Sequence, residues 1–454
     1  MMLIFMLHFL AERDDEHVRM TVIGCGHLGV THAASMAEIG HEVVGVDIDA
    51  AKIETLSSGR AWFHEPGLDV MLARHIASGR LRFTTDFAEA GEFGEMHFLG
   101  VATPGMADRD DYDLSQVFAA IRSLAPHLHQ PCIIVGKSTV SVGTTEATQE
   151  LVRELAPAGE GVAVAWNPEF LREGHAVQDT LRPDRIVVGV TSAEVEEKIR
   201  KAYKPITDAG VPLVITDPAT CELVKGAANA FLSMKISFIN AMADICEASG
   251  ADVTQLADAI GLDPRIGRAF LDAGIGYGGG CLPKDTRAFA ARARELGVDG
   301  AVDLLTSVDR INTGRRERVV EMARKACGGD MAGRHVGVWG AAFKFGTDDV
   351  RDSPALDVAA RLHSLGATVT VYDPMAMENA RLVHPELGYA GDALTAAAGA
   401  DVLVTMTAWP EFRDLDPEAV AKVVSRQIMI DARSALDISR WQDADWAMHR
   451  LGRS

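Results

Sequence analysis

The chain has 454 residues, of which 48% are hydrophobic and 24% are charged, a balance typical of a globular protein and unlike a disordered or fibrous one. Its net charge is −20, from 44 Lys and Arg against 64 Asp and Glu, which argues against binding to nucleic acids or anionic membranes. The six cysteines lack paired short spacings, which argues against a disulfide framework or a metal site and favours reduced thiols in the cytoplasm.

The first nineteen residues differ in character from the rest of the chain. Their apolar run of about ten residues is too short to span a bilayer. Acidic residues follow it, where a signal peptide would carry a cleavage site of small residues. We expect residues 1–19 to be a disordered extension or an artefact of an upstream start rather than a membrane anchor. No other segment of the sequence suggests a membrane partner.

A region of alternating strands and helices begins at Met20. Short runs of apolar, β-branched residues predict strands, and helical spacing over 28–39 predicts a helix that Gly40 ends. Because short turns link the alternating elements, this region predicts a parallel, doubly wound α/β sheet. The predicted strands cover residues 21–23, 43–46, 97–101 and 132–135.

The turn after the first predicted strand fits the pattern G-x-G-x-x-G. Gly24 permits a tight turn, Gly26 lets a pyrophosphate approach the backbone, and Gly29 lets the helix pack closely on the sheet. Asp47 ends the next strand, where a carboxylate accepts hydrogen bonds from a ribose 2′-hydroxyl and repels a 2′-phosphate. The loop therefore predicts NAD rather than NADP as cofactor. A helix–sheet turn without a ligand is the alternative.

Two further turns in this region follow predicted strands. Ser138 and Thr139 follow one strand, and Glu169 and Glu173 follow an apolar run at 162–165. Ligands of open α/β sheets bind at the carboxyl ends of the strands, so these four residues are candidates for a site. Ordinary surface charge is the alternative interpretation of the two glutamates.

The middle of the chain, from about Cys221 to Asn312, has helical spacing and almost no strand signal. Lys225 and Asn229 lie four residues apart and therefore share one helix face. From this segment alone, a face turned to solvent is the commoner interpretation.

The segment GYGGGCLPKD, from Gly276 to Asp285, places four glycines before Cys281 and a helix start after it. Pro283 suits the first turn of a helix, so Cys281 should lie just before a helix N-terminus. The helix dipole and the neighbouring Lys284 both favour a thiolate over a thiol. We interpret Cys281 as a nucleophile, with a buried structural cysteine as the alternative.

A second region of alternating strands and helices begins at His335. Its segment GATVTVYD, which ends at Asp373, matches GHEVVGVD, which ends at Asp47. The loop GAAFKFG lacks the glycine triplet but holds Lys344, which faces either a phosphate or solvent. The sequence therefore predicts two Rossmann-like doubly wound domains joined by a helical middle domain. The predicted divisions are 1–19 for the extension, 20–205 for the NAD-binding domain, 206–312 for the helical domain and 313–454 for the second Rossmann-like domain.

Taken together, these segments closely resemble the UDP-glucose/GDP-mannose dehydrogenase family over nearly all of residues 20–440. The stretches that carry the resemblance are VIGCGHLG, FHEPGL, VATP, KSTVSVGT, NPEFLREG, ELVKGAANAFLSMKISFIN, DPRIG, GYGGGCLPKD, AAFKFGTDDVRDSPAL and DARSAL. NPEFLREG, KISFIN and DPRIG look most like the members that oxidise UDP-glucose. The resemblance implies that UDP-glucose, two NAD⁺ and water give UDP-glucuronate and two NADH.

The resemblance also implies why a cysteine is needed. The first oxidation turns the C6 alcohol into an aldehyde, which Cys281 would capture as a thiohemiacetal. A second oxidation would give a thioester, which water hydrolyses. Glu169 would act as general acid/base in that hydrolysis, with Thr139 nearby. Lys225 and Asn229 would stabilise the developing oxyanion.

The resemblance assigns further residues to the catalytic, cofactor and substrate sites, and implies no metal. Asp285 would hold Lys225 and an ordered water in place, and Arg265 would reach into a neighbouring subunit's site, which implies a homodimer through the helical domain. The implied cofactor residues are Gly24, Gly26, Leu28, Gly29, Asp47, Lys52, Thr103, Pro104, Ser138, Thr139, Glu173, Lys284 and Arg351. The implied substrate residues are Phe170, Leu171, Arg172, Glu173, Lys225, Asn229, Arg265, Phe270, Tyr277, Gly278, Lys344 and Arg433.

Two departures from the family pattern flank the nucleophile. Gly280 stands where serine is common, and Leu282 stands where phenylalanine is common. Leucine at that place also occurs in members that oxidise GDP-mannose. A sibling enzyme acting on GDP-mannose or UDP-N-acetylmannosamine is therefore the nearest alternative.

Two more distant alternatives use the same scaffold. A two-electron β-hydroxyacid dehydrogenase would need neither Cys281 nor a second Rossmann-like region at 330–440. A non-catalytic nucleotide-sugar sensor would have lost one or more of the catalytic residues, yet Cys281, Lys225, Glu169 and Asp285 are all present.

Overall fold

The computed structural model describes residues 17–106 and 110–453, and the chain divides after Ala227 into two compact units. Most of the predicted extension, residues 1–16, lies outside the described residues. Val18 is already buried, and the first strand begins at Arg19, one residue before the start at Met20 that the sequence suggests.

The first unit is built on an eight-stranded sheet. Its strands are β1 (Arg19–Ile23), β2 (Glu42–Val46), β3 (Leu81–Thr84), β4 (Met96–Leu99), β5 (Cys132–Gly136), β6 (Val162–Trp166), β7 (Ile186–Gly189) and β8 (Leu213–Thr216). Their order is β3-β2-β1-β4-β5-β6-β7-β8, and all neighbours are parallel except β6 and β7. The order reverses at β1, and such a reversal leaves a ligand-binding crevice at the carboxyl ends of the strands.

Helices cover both faces of this sheet. Val22 packs into one apolar core and its neighbour Ile23 into another, as a strand buried on both faces requires. Two short 3₁₀ turns, Ala125–His127 and Gly159–Gly161, complete the connections. The helices are α1 (His27–Glu38), α2 (Ala50–Ser57), α3 (Leu68–Ala77), α4 (Phe87–Phe93), α5 (Ser115–Leu124), α6 (Thr144–Leu155), α7 (Ala176–Leu181) and α8 (Ala193–Thr207).

A helical segment follows, as the sequence predicts. It opens with α9 (Pro218–Ser249), a helix of 32 residues that carries the chain past Ala227. The helices after it are α10 (Val253–Gly261), α11 (Leu282–Glu295) and α12 (Asp299–Ala326). Asp252 caps the N-terminus of α10, and its carboxylate accepts hydrogen bonds from the backbone N–H groups of Thr254 and Gln255.

The second unit contains a six-stranded sheet in which all paired strands are parallel. Its strands are β9 (His335–Trp339), β10 (Thr368–Tyr372), β11 (Gly388–Tyr389), β12 (Val402–Thr405), β13 (Ile428–Asp431) and β14 (Ala447–Arg450). They follow the order β11-β10-β9-β12-β13-β14. The accompanying helices are α13 (Pro354–Ser364), α14 (Met377–Val383), α15 (Ala393–Ala397), α16 (Pro410–Asp414), α17 (Pro417–Ala421) and α18 (Ile438–Gln442).

The predicted fold class is confirmed: two Rossmann-like sheets and a helical segment between them in the chain. Several short strands were not predicted, because a run of four residues carries no resolvable period. Within the described ranges, no helix combines the length and the apolar character needed to cross a membrane.

Candidate active site

The loop between β1 and α1 has the geometry that its three glycines predict. Gly24 adopts φ +93°, and a Cβ atom there would lie 2.8 Å from Cγ1 of Val101. A Cβ on Gly29 would collide with the carbonyl oxygen of Gly24. A Cβ on Gly26 would meet nothing within 4 Å, so space is open beside the N-terminus of α1, where Leu28 is the second helical residue. This open space at a helix N-terminus suits a pyrophosphate.

Asp47 follows β2 and ties this loop to the sheet. Its Oδ2 accepts a hydrogen bond from the N–H of Cys25 at 2.8 Å, and its Oδ1 accepts one from Asp49 at 3.0 Å. The indole N–H of Trp62 donates to the carbonyl oxygen of Cys25 at 3.3 Å, and Nζ of Lys52 lies 5.4 Å from the Trp62 ring centroid. The glycines and Asp47 together fit the phosphate and ribose ends of a dinucleotide.

The loops after β4 and β5 are joined by hydroxyl groups. Thr103 donates from Oγ1 to the carbonyl oxygen of Thr139 at 2.8 Å, and Ser138 donates from Oγ to that of Val101 at 2.6 Å. The carbonyl oxygen of Pro104 accepts from the N–H of Asp113. The structure thus brings together the four predicted cofactor residues of these two loops.

Glu169 and Lys225 form an ion pair in the first unit, with Lys225 buried and Glu169 half-buried. Nζ of Lys225 lies 3.1 Å from Oε1 of Glu169, and Lys225 is only 4% exposed. Oε2 of Glu169 accepts a hydrogen bond from the N–H of Leu171 at 2.5 Å, and Nζ of Lys225 lies 5.6 Å from the centroid of the Phe170 ring. The solvent-facing interpretation of Lys225 is therefore wrong. A carboxylate and an ammonium group held together with little exposure to solvent suit proton transfer and oxyanion stabilisation.

The loop that carries Glu169 is anchored by Glu65, a residue to which sequence reasoning gave no role. The Glu65 carboxylate is buried and accepts from the N–H groups of Gly174 and Ala176 at 2.9 and 2.7 Å. Glu173 lies half-buried in the same loop. Glu65 stands in the FHEPGL motif, but its partners are more than 100 residues away and no local pattern reveals them.

Arg172 and Phe170 each contact a charged side chain within the first unit. The Arg172 guanidinium forms two hydrogen bonds with Asp179, of 2.9 and 2.7 Å, while its side chain stays 64% exposed. The Arg185 guanidinium lies 3.9 Å from the Phe170 ring centroid, a cation–π contact. Arg172 therefore remains on the surface, where it is accessible to a ligand.

Cys281 lies in the second unit, directly before the N-terminus of α11. All six cysteines fall in the described part of the chain, and Cys281 alone is exposed. The interpretation of Cys281 as a buried structural residue is therefore wrong. A helix N-terminus favours an anionic sulfur, and exposure makes that sulfur accessible.

Asp285 lies in the first turn of α11 and is 1% exposed. Its Oδ2 accepts from Nδ2 of Asn229 at 2.6 Å, and its Oδ1 pairs with Nζ of Lys284 at 2.6 Å. Asn229 is 7% exposed, and on α9 it stands one helical turn after Lys225. Of the predicted catalytic residues, the second unit thus joins Asn229 and Asp285 directly.

The loop before Cys281 is held by Asn312, which sequence reasoning missed. Asn312 is fully buried on α12; its Oδ1 accepts from the N–H of Tyr277 at 2.8 Å, and its Nδ2 donates to the Tyr277 carbonyl at 3.0 Å. Gly276 adopts φ +95°, and a Cβ there would collide with Oδ1 of Asn312. One amide side chain therefore satisfies both backbone groups of a residue in a glycine-rich loop, which otherwise has high conformational freedom.

Arg433 binds three backbone carbonyls rather than a side chain. Nη1 donates to Gly276 at 2.7 Å, Nε to Met406 at 2.9 Å and Nη2 to Phe343 at 3.2 Å. Burial lowers the pKa of Arg433 to about 10, so the group still carries its charge at neutral pH. Lys344, beside Phe343, has its Nζ 5.6 Å from that ring's centroid. Arg433 thus joins three loops of the second unit at one charged centre.

Arg351 lies against the residue that precedes the nucleophile. A Cβ built on Gly280 would lie 2.5 Å from Cζ of Arg351, and the N–H of Gly279 donates to the Arg351 carbonyl at 2.9 Å. The Arg351 guanidinium also pairs with Asp349 at 2.7 Å. A Cβ on Gly278 would collide with the carbonyl oxygen of Asp352. The loop 349–352 therefore packs directly on the glycines before Cys281.

The predicted site residue Arg265 is largely exposed to solvent. Its side chain is 87% exposed and pairs with Asp263 at 2.6 Å. Phe270, five residues later, is 39% exposed and adopts φ +65°. Both residues lie on the surface of the described part of the second unit, unlike the predicted substrate residue Tyr277, which is buried.

Comparison with known proteins gives consistent matches along most of the chain. Three models of the UDP-glucose/GDP-mannose dehydrogenase family match in order: the NAD binding domain over residues 18–207, the central domain over 219–314 and the UDP binding domain over 337–438. A UDP-glucose 6-dehydrogenase of Rhizobium meliloti (strain 1021) is 44% identical over 92% of this chain and 95% of that protein. UDP-glucose 6-dehydrogenase TuaD of Bacillus subtilis (strain 168) is 38% identical over 96% of this chain and 93% of that protein.

Solved structures also match over nearly all of the chain. A UDP-glucose dehydrogenase from the archaeon Pyrobaculum islandicum superposes with a TM-score of 0.90 at 36% identity, covering 97% of this chain and 99% of that one. A UDP-D-ManNAc dehydrogenase from Pyrococcus horikoshii gives a TM-score of 0.85 at 27% identity, covering 96% and 99%.

Proposed function

The chain belongs to the UDP-glucose/GDP-mannose dehydrogenase family, and from that premise we propose that it oxidises UDP-glucose at C6 to UDP-glucuronate with two NAD⁺. The observation that carries the proposal is Cys281, an exposed thiol at a helix N-terminus, whereas the other five cysteines are buried. A four-electron oxidation needs such a nucleophile, because covalent capture retains the aldehyde formed by the first oxidation.

The residues present fit NAD. The open space beside Gly26, the tight turn at Gly24 and the carboxylate of Asp47 match the requirements of a pyrophosphate and a ribose diol. When bound, NAD⁺ supplies the hydride acceptor for each of the two oxidations. Asp47 disfavours the 2′-phosphate of NADP by charge repulsion.

Cys281 forms and later breaks one bond to the substrate. After the C6 alcohol has lost a hydride and a proton, the sulfur attacks C6 of the aldehyde and a thiohemiacetal results. Loss of a second hydride from the same carbon, together with the proton of its hydroxyl group, leaves a thioester on Cys281. Water then adds to the thioester carbonyl, the carbon–sulfur bond breaks, and the thiolate leaves as the carboxylate forms.

Lys225 and Glu169 take complementary roles in this proposal. The ammonium group of Lys225 stabilises negative charge on the C6 oxygen while each tetrahedral adduct forms and collapses. Glu169 accepts a proton from the attacking water, with Thr139 nearby. Their 3.1 Å contact supports this assignment, because it keeps the base next to the cation.

Asn229 and Asp285 support the oxyanion site. Asn229 donates a hydrogen bond to Asp285 at 2.6 Å, which fixes the orientation of the Asn229 amide. Asp285 also holds Lys284 at 2.6 Å, on the side proposed for the nicotinamide. Lys344 and Arg433 supply positive charge for the diphosphate despite the net charge of −20.

The proposed function is tested by measuring NADH with UDP-glucose, GDP-mannose, UDP-N-acetylmannosamine and UDP-galactose, each with NAD⁺ and with NADP⁺. We expect two NADH per UDP-glucose consumed and little product from the other sugars or from NADP⁺. The same stoichiometry with another sugar would replace the substrate and keep the mechanism. No turnover with any sugar, together with intact nucleotide-sugar binding, would favour a sensor and reject the proposal.

We also propose a homodimer that forms through α9. Phe231, Phe238 and Ile245 recur every seven residues along this helix and are 58%, 48% and 58% exposed. Apolar residues at such a spacing form a stripe along one helix face that a second copy can cover. In a dimer of this kind, Arg265 would be supplied to the neighbouring subunit's substrate.

Phe238→Asp is expected to weaken this dimer, because it places a charge at the centre of the stripe. Light scattering after size-exclusion chromatography should report about half the wild-type mass for the variant. Leu382→Asp is the matched control, since Leu382 is 82% exposed on α14 and lies outside the stripe. A wild-type monomer, or an unchanged mass for Phe238→Asp, would contradict the proposal.

We also propose which part of the chain has which function, and where in the cell the protein is located. We assign residues 20–205 to NAD binding, 206–312 to dimerisation and 313–454 to UDP-sugar binding. The NAD binding domain model, which matches 18–207, and the UDP binding domain model, which matches 337–438, support the first and the last of these assignments. A cytoplasmic location is supported by the six free cysteines, since thiols stay reduced there.

A further inference from the structure

Lys137 is a buried cation that the proposed reaction does not use. It follows β5 directly and is 8% exposed. Its Nζ donates a hydrogen bond to Oδ1 of Asn167 at 2.9 Å and lies 6.0 Å from the ring centroid of Phe98. Burial of an ammonium group costs free energy unless hydrogen bonds or opposite charges compensate for it.

The partner of Lys137, Asn167, is bound from three sides. Its Oδ1 also accepts from the hydroxyl of Tyr203 on α8 at 2.5 Å, and its Nδ2 donates to the Val187 carbonyl of β7 at 2.8 Å. Asn167 begins the NPEFLREG loop, and Glu169 follows it after one proline. The side chain of Asn167 therefore fixes the start of the loop that carries the proposed general base.

Charged and titratable groups face Lys137 from several elements. Burial lowers the pKa of Lys137 to about 8, while the negative charge of Glu169 raises it. Burial keeps the pKa of His32 on α1 well below its usual value, so that imidazole is neutral. Burial also raises the pKa of Cys221 on α9 to about 12 and that of Tyr203 above its usual range, so both keep their protons.

Among Lys137, His32, Cys221 and Tyr203, the charge that changes near neutrality is therefore that of Lys137. The amine carries its proton below about pH 8 and loses it above that pH. In the protonated form the amine donates a charge-assisted hydrogen bond to Asn167, two residues before Glu169. In the neutral form the charge is lost and this hydrogen bond is weaker, because a charged donor binds an acceptor more strongly than a neutral one.

We propose that Lys137 is a positioning residue of the dehydrogenase: its charged amine holds the NPEFLREG loop, and with it Glu169, through the hydrogen bond to Asn167. This inference rests on the proposed function, because it assigns Lys137 a part in the step that Glu169 catalyses. The strength of that hold depends on the charge of the amine. Because the amine loses its charge near pH 8 and then holds the loop less firmly, the pH profile of kcat should fall in a step there.

The test is the pH profile of kcat with saturating UDP-glucose and NAD⁺, measured between about pH 6 and pH 10. Wild type is expected to lose activity through a step near pH 8, where Lys137 loses its charge. Lys137→Met should lower kcat about tenfold at pH 7 and remove that step. Lys137→Gln, which keeps a polar side chain in the buried place, is measured in parallel so that a folded neutral variant is available.

Tyr203→Phe is the matched control. It removes the other hydrogen bond to Oδ1 of Asn167 and leaves the charge of Lys137 in place. We expect this variant to keep the step near pH 8 even if its kcat falls. Persistence of the step in both neutral variants of Lys137, or its loss from Tyr203→Phe as well, would overturn the proposal. Wild type without NADH formation would instead reject the proposed function itself.

Discussion

Replacement of Cys281 by serine is expected to lower kcat by about 10⁴-fold or more. A serine hydroxyl is not ionised at neutral pH, so it captures the aldehyde poorly and cannot form the thioester. At most one hydride equivalent per active site should then appear. NADH measured in a single turnover, against the concentration of enzyme, checks this number.

Cys327→Ala is the matched control for this variant. Cys327 is also a cysteine, but it is buried at the end of α12 and no step of the mechanism uses it. We expect this control to keep two NADH per UDP-glucose, with a modest loss of thermal stability from the lost sulfur. Normal two-NADH turnover by the Cys281→Ser variant would contradict the covalent mechanism.

Glu169→Gln is expected to lower kcat by about 10²- to 10⁴-fold and to leave the thioester on Cys281. Glutamine has nearly the same shape as glutamate but cannot accept the proton of the attacking water. The two oxidations precede that step, so the substrate should remain covalently bound. Mass spectrometry of protein quenched in acid during turnover should show the UDP-glucuronyl adduct on the peptide that contains Cys281.

Glu160→Gln provides the comparison for this substitution. The side chain of Glu160 is 77% exposed and pairs with Arg153 on the surface at 2.7 Å. Such a pair contributes little, so turnover and the adduct level should match wild type. Fast turnover by Glu169→Gln, or slow turnover without the adduct, would show that Glu169 does not serve the hydrolysis.

The repeated Rossmann pattern was predictable because its signals are local. The segments GHEVVGVD and GATVTVYD match in sequence, and the aspartates at their ends also make the same kind of hydrogen bond. Asp47 accepts from the N–H of Cys25, and Asp373 accepts from those of Ala341 and Ala342 at 2.8 and 3.0 Å. In each unit, a carboxylate after the second strand binds the loop after the first.

The contacts that fix the site were not predictable in the same way. Glu65 and Asn312 accept hydrogen bonds from backbone N–H groups far away in the sequence. Nothing in the residues next to Glu65 or Asn312 in the sequence distinguishes them from other polar residues of loops and helices. The sequence likewise marked Arg433 by resemblance alone and gave no sign of its three carbonyl partners. Such pairings depend on which loops the folded chain brings together, and local periodicity carries no record of them.

The packing of Arg351 on Gly280 makes these two positions epistatic. A serine introduced at 280 would displace the guanidinium from its place, and Arg351 would have to leave Asp349 or adopt another rotamer. Substitutions at 280 and 351 should therefore be non-additive in a double-mutant cycle. Chimeras with relatives that carry serine before the cysteine should tolerate crossover points outside the interval 280–351 better than points within it.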